Sequence, residues 1–238
     1  RRKISNYVKK IVSDYCVLDT ETTGLSAYYD EVIEIGILRV RNGEITDRYE
    51  QLIKPENEID GFITSLTGIT NEMVADKPAI EDVKSDVLAF LGSDIIVGHN
   101  TSFDVRFLAA GFHEDIANEY MDTMQFARKL YPDLPHHRLS DLSEYLHLTN
   151  NEHRALADCV TTEELYEAMK TEMVRKGLGI KDLWQVNASG HKGIDIGAIT
   201  ATTDDIDEDG FFYGRHVVFT GKLERMARKD AMQTVVNL

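Results

Sequence analysis

The stretch YCVLDTETTGL, residues 15–25, opens as an apolar run and closes with Asp19 and Glu21 two residues apart. Side chains on a strand alternate between faces, so Val17, Asp19 and Glu21 look one way while Cys16, Leu18 and Thr20 look the other. At a rise of about 3.3 Å per residue, the α-carbons of the two acids stand roughly 6 to 7 Å apart. Two anions so close on a half-buried surface repel each other unless a cation lies between them. The stretch therefore calls for a sheet that buries its apolar half. Its acidic end is either a cation site or, if the strand stops at Leu18, a pair of solvated loop residues.

Downstream, EVIEIGILRVRNGEITDRYEQLI holds two β-rich segments around Asn42-Gly43, a dipeptide that favours a tight hairpin turn. With the Tyr15 strand this predicts a three-stranded antiparallel sheet. Ile80, Val83, Val87, Leu88 and Leu91 recur at helical spacing before Gly92. DIIVGHN reads as a short buried strand, TSFDVRFLAAGF as a helix, YMDTMQFARKLYP as a strand running into a helix, and RLSDLSEYLHL as another helix. A long helix from about Arg154 to Lys176 follows. A hairpin meander followed by alternating strands and helices implies a mixed α/β sheet covered by helices.

Beyond Gly177 the periodicity fades, and the Gly, Ala, Thr and Asp of NASGHKGIDIGAITATTDDIDEDG read as a linker. GRHVVFTGKLERMARKDAMQTVVNL then reads as a strand, a Thr-Gly turn and an amphipathic helix. One strand and one helix cannot bury their apolar faces alone, so this segment is expected to be the start of a second α/β domain. The expected organisation is a basic arm over 1–13, a main domain over 14–176, a linker over 177–212 that is acidic at its end, and the partial element over 213–238.

The chain has 238 residues, 42% of them hydrophobic, as a globular protein requires. No apolar run approaches the roughly 18 to 20 residues of a membrane span, and the basic start RRKISNYVKK lacks the apolar core of a signal peptide. A cytoplasmic location is expected. Cys16 and Cys159 are the only cysteines, and both read as reduced core thiols. A net charge of −15 argues against wrapping a long nucleic acid, because such binding rests on Lys and Arg. Part of that charge lies in DDIDEDG at 204–210, and divalent cations held by carboxylates would invert the local field where a phosphate approaches.

Two further acidic positions stand near predicted element ends. Asp104, in HNTSFDVRFL, has two compatible readings. It is the third position of a capping box with Thr101, and it is an acid just past the carboxyl end of a strand, where sites assemble. In HRALADC, His153 and Asp158 are five residues apart. On one continuous helix that spacing turns about 500° and leaves the side chains about 140° apart. The two meet only if His153 precedes the helix; otherwise His153 is a surface imidazole and Asp158 a dipole-favoured acid. Four acids on three segments plus one histidine suit two hard cations about 3.5 to 4 Å apart, the arrangement that hydrolyses phosphodiesters. His136, His137 and His147 read as structural, and His99 as either strand-edge packing or the border of the site.

VLDTETTGL, HNTSFDVRFL and HRALADC, taken in that order, resemble the DEDDh 3′→5′ exonucleases, in particular the proofreading epsilon-subunit type of bacterial DNA polymerase III. The resemblance runs from about Asp14 to Lys176 and includes LTGIT and the His-Asn pair before Thr101. It implies a ribonuclease H-like fold, a mixed five-stranded sheet with helices on both faces. It implies two Mg²⁺ or Mn²⁺ ions, with Asp19 bridging them, Glu21 and Asp158 completing the nucleophile-side ion, and Asp104 serving the other. His153 would take the proton from the attacking water, a task suited to imidazole as a residue type. Thr22, Thr23 and Leu25 resemble the residues that hold the 3′-terminal nucleotide, with Leu25 wedged against the base; Phe103 either stacks there or belongs to the core.

YGRHVVFTGKLERMARKDAM resembles the first strand and helix of a BRCT domain, in which Thr220 and Gly221 match a phosphate-holding pair. The expected function is 3′→5′ hydrolysis of single-stranded or frayed DNA in proofreading or repair, with a DNA polymerase or repair protein as partner. An RNA 3′-end trimmer of the ribonuclease T or oligoribonuclease kind is the alternative, and a non-catalytic scaffold module is a further one.

Overall fold

Strand β1 (Tyr15–Thr22) runs through the middle of a five-stranded sheet ordered β3-β2-β1-β4-β5. The computed structural model describes residues 7–149 and 153–184, together with Ala231. The chain divides into two units, Arg1–Gln185 and Val186–Leu238, and the sheet and helices below all belong to the first. Apart from Ala231, the BRCT-like segment lies outside the described residues, as does the acidic run before it.

β2 (Val32–Arg41) and β3 (Glu44–Leu52) form the predicted hairpin, with Asn42 and Gly43 at φ 52° and 77°, the left-handed pair that a tight primed turn requires. β2 pairs antiparallel with β1. β4 (Ile96–Gly98) and β5 (Tyr120–Asp122) add parallel to the other side of β1. β1 does not stop at Leu18; pairing with β2 continues to Thr22, through a register shift between Glu21 and Thr22.

Alternation along the strands divides the core. Cys16, Leu18, Ile35, Ile37 and Ile96 pack against Val87 and Leu91 of α3 (Lys84–Leu91) and Phe107, Leu108 and Phe112 around α4 (Ser102–Gly111). Tyr15, Val17, Leu38, Val40 and Met121 face the other way, onto α5 (Thr123–Leu130), α6 (Leu139–Leu146) and α7 (Ala155–Arg175). Helices thus cover both faces, as a ribonuclease H-like fold demands. Two short helices escape the periodicity because they are brief: α1 (Gly61–Thr67) and α2 (Asn71–Val74), capped by Asp60 and Thr70, with Gly68 ending the first at φ 72°. α8 (Ile180–Trp184) occupies part of the stretch expected to be linker, and Leu178 before it packs onto the α7 side of the core.

α7 reaches the sheet at one unusually close point. A Cβ on Gly36 of β2 would stand 2.4 Å from the Ala155 carbonyl carbon and 2.5 Å from the Leu156 nitrogen, so the helix start rests on bare backbone. Gly36→Ala is expected to lower unfolding free energy by about 1 to 3 kcal/mol through overpacking, seen as a lower urea midpoint at unchanged slope. A wild-type midpoint would mean that α7 slides at little cost.

Candidate active site

The site forms at the carboxyl end of β1. Asp19 and Glu21 project toward α7 because they continue the face of Tyr15 and Val17. β4 ends at Gly98, and the chain then turns into α4, whose first turn carries Asp104.

Asp104 corrects one expectation. The capping box with Thr101 does not form: Thr101 makes no side-chain cap bond, and its hydroxyl donates to the Met121 carbonyl at 2.6 Å. Asp104 instead turns one carboxylate oxygen to Thr20, accepting from the backbone N–H at 3.0 Å and from the hydroxyl at 2.8 Å. Thr20 points to the opposite face from its acidic neighbours, so it ties the α4 acid to the strand that carries them. Sequence reasoning passed it over; the only signal was a small hydroxyl between the two acids of DTE.

α7 begins at Ala155 with Arg154 as its N-cap, so His153 lies just ahead of the helix, as the angular argument required. His153 holds φ 52°, a left-handed conformation uncommon for a residue with a side chain. The turn brings its ring to the acids: Glu21, His153 and Asp158 each offer a ligand atom, all within 4.8 Å of one another. His153 is exposed and Asp158 buried, so the group opens to solvent on one side.

Burial and repulsion govern the electrostatics. Burial, then the charges of Asp104, Asp158, Glu21 and Glu34, hold the Asp19 carboxyl well above the usual carboxylate range. Burial and the carboxylates of Asp158, Glu34 and Asp104 push Glu21 up to about 8, against a lowering pull from Arg154. Burial raises Asp104 to about 7 despite the opposing bonds from Thr20. Oxygen-rich and short of cationic charge, the carboxylate cluster fits a hard divalent cation, and the His153 ring stands at its open side, within 4.8 Å of Glu21 and Asp158.

The loop after β1 is closed by its own polar groups. The Thr22 hydroxyl donates to the Gly24 carbonyl at 2.7 Å, the Thr23 hydroxyl accepts the Glu31 N–H at 2.9 Å, and Asp30 accepts the Ser26 N–H at 2.8 Å. Both threonine hydroxyls therefore shape the loop from within, while Leu25 stands 88% exposed at its tip. Phe103 is half-buried, packs onto the α3–α4 side of the core, and lies 4.6 Å from the Phe107 ring. The His99 ring engages on both nitrogens, 2.9 Å from the Thr123 hydroxyl and 2.8 Å from the His137 carbonyl, and burial lowers it to about 4. It is a packing residue. The His137 ring likewise meets the Tyr131 carbonyl at 2.9 Å.

A mixed sheet whose central strand delivers two acids, joined by others from helices on both faces, defines a nuclease of the ribonuclease H-like fold. A family model described as Exonuclease matches residues 16–166, and the chain belongs to that family. It is 40% identical over 167 residues to a DNA polymerase III PolC-type of Oceanobacillus iheyensis, covering 68% of this chain and 12% of that protein. The PolC-type polymerase of Bacillus subtilis is 39% identical over 175 residues, 71% of this chain and again 12% of the relative. The chain thus spans about an eighth of the length of these relatives.

Among solved structures, Exonuclease X in complex with 5′ overhanging duplex DNA shares 31% identity at a TM-score of 0.57, covering 71% of this chain and 96% of that one. E. coli Exonuclease I bound to a dT13 oligonucleotide, at 19% identity, shares the fold with a TM-score of 0.61, covering 70% of this chain and 43% of that one.

The raised carboxyls set a pH dependence. Unfolded carboxyls ionise near pH 4, roughly, whereas Glu21 in the folded protein keeps its proton to about pH 8, so the metal-free native state binds more protons across that window. Metal-free stability should therefore fall as pH rises from about 4 to about 8. In melts recorded with EDTA, Asp19→Asn should exceed wild type in Tm near the top of the window and match it near the bottom. Equal melting of the two proteins across the window would contradict the repulsion described.

Proposed function

We propose that the chain is a two-metal-dependent 3′→5′ exonuclease that hydrolyses the terminal phosphodiester of single-stranded or frayed DNA and releases nucleoside 5′-monophosphates. The observation that carries this reading is the convergence of Glu21, His153 and Asp158 beside Asp19 and Asp104 at the end of the central strand. The relatives support DNA over RNA: the PolC-type proteins are DNA polymerases by name, and Exonuclease X was solved on duplex DNA with an overhang.

Asp19, Glu21, Asp104 and Asp158 would hold two Mg²⁺ or Mn²⁺ ions. When bound, such ions supply charge that stabilises the attacking and leaving oxygens of an in-line displacement. His153 takes a proton from the attacking water on the ring nitrogen that faces Glu21 and Asp158. The water oxygen bonds to phosphorus, the bond from phosphorus to the 3′ oxygen breaks, that oxygen takes a proton from solvent to become the 3′ hydroxyl of the shortened strand, and His153 returns its proton to solvent. Thr22 and Thr23 shape the loop that receives the last nucleotide, Leu25 wedges against its base, and the half-buried Phe103 ring borders the same end of the sheet. Thr20 keeps one Asp104 oxygen occupied and so aims the other. Proofreading or repair in the cytoplasm, beside a DNA polymerase, is the role we assign.

Matched 5′-labelled DNA and RNA oligonucleotides, incubated with Mn²⁺, with EDTA and with the Asp19→Ala variant, test the proposal. A metal-dependent ladder shortening from the 3′ end of DNA, lost in the variant, is expected; cutting of RNA alone would move the protein to RNA trimming, and no cutting of either would favour the scaffold reading. His153→Ala should lower kcat by about 10²- to 10⁴-fold while Mn²⁺ still binds. Near-wild-type turnover in that variant would remove His153 as the base.

A further inference from the structure

Glu21 of β1 and Glu34 of β2 face each other directly across the antiparallel pair. Like charges opposite one another on a sheet face are unfavourable. Glu34 is moreover fully buried, where a carboxylate persists only with partners. Among the described residues its hydrogen-bond partners belong to the start of α7. The Ala155 N–H donates to Glu34 Oε2 at 2.8 Å, Arg154 Nε lies 3.1 Å from both oxygens, and Arg154 Nη2 adds a further bond. Arg154 makes no side-chain cap bond to α7 itself, so a carboxylate from another strand satisfies one of the N–H groups the helix start leaves open.

The residues gripped are the neighbours of the site. His153 precedes Arg154 directly, and the Asp158 N–H donates to the Arg154 carbonyl at 2.9 Å. Gly36, two residues along the same face of β2, lets the helix backbone approach. The left-handed φ of His153 is a conformation that persists where the surroundings over-determine it.

Resting on the exonuclease reading, we propose that Glu34 is a positioning residue that acts through Arg154: it fixes where α7 begins and so holds His153 and Asp158 in register with Asp19 and Glu21. A buried ion pair contributes little to stability compared with apolar residues of the same volume, whereas groups that orient a metal's ligands are typically worth 10- to 100-fold in affinity or activity. The grip therefore acts on geometry.

The test is a double-variant cycle in the full chain: wild type, Glu34→Gln, His153→Ala and the pair, with single-turnover cleavage of a 5′-labelled DNA oligonucleotide, KM, and Mn²⁺ affinity by calorimetry. Glu34→Gln should lower kcat by about 10- to 100-fold with KM within about twofold, and weaken Mn²⁺ binding about tenfold. In the His153→Ala background the same change should cost a smaller factor in turnover than it does in wild type, because one of the two groups it positions is gone and only the Asp158 part of the effect is left. Arg154→Lys, which keeps the charge but loses the two-pronged guanidinium, should reproduce the pattern and carries the test if Glu34→Gln does not fold. Wild-type kcat and Mn²⁺ affinity in these variants, or an equal factor lost in both backgrounds, would overturn the assignment. The calorimetric arm needs no turnover: a wild-type protein that cuts nothing sinks the exonuclease reading, while unchanged Mn²⁺ affinity sinks this one.

Discussion

The repulsion among carboxylates at the end of β1 is the constraint on which the rest of the site depends. The carboxylates of Asp158, Glu34 and Asp104 raise the Glu21 carboxyl, the same three together with Glu21 raise that of Asp19, and burial is the larger cause in both. Such a cluster has three ways to persist: protons, cations, or fixed hydrogen-bond donors. Protons and fixed donors are both visible here. Asp19 and Glu21 hold on to protons in the metal-free protein. Glu34 is matched by Arg154 and the Ala155 N–H, and Asp104 by Thr20. Both Glu34 oxygens are thus engaged by fixed donors, whereas Thr20 engages a single oxygen of Asp104, and the difference follows from which donors each carboxylate can reach.

The fold supplies this arrangement through the central position of β1. A strand flanked by β2 on one side and β4 on the other can receive a carboxylate from the helix after β4 and from the helix lying over β2. An edge strand would have one such neighbour. The register shift between Glu21 and Thr22 frees the chain beyond the acids to leave the sheet, and Thr22, Thr23 and Asp30 then lock the emerging loop so that Leu25 stands outward. A site of fixed acids beside an exposed leucine follows from these contacts.

Much of this was legible in the chain itself, and the misses have two causes, distant partners and brief elements. The alternation of YCVLDTET places both acids on one face, and the angular argument requires His153 to precede α7 if it is to meet Asp158. The Asp104 capping box failed because its local pattern was compatible with two partners. Thr20, 84 residues away, offered two donors in a buried setting. α1 and α2 carried clear cap and stop residues, yet were too short for periodicity to show. Glu34 and Arg154 were invisible as a pair because nothing local to β2 says which of the chain's cations, 120 residues away in this case, its glutamate will meet.

The sequence by itself determined which way each side chain points along its own element: the acids of β1 toward one face, Glu34, Gly36 and Leu38 together on β2, and the His153 to Asp158 spacing that only a helix boundary reconciles. Those are consequences of backbone periods of 2 and 3.6 residues, which need no knowledge of distant segments. Only the tertiary structure decided that α7 would begin over Gly36, that Glu34 would hold Arg154, and that Asp104 would turn to Thr20. Each joins segments far apart in the chain, and its geometry is set by how the two halves of the core pack on the shared sheet, a sum of many small burials that no local pattern contains.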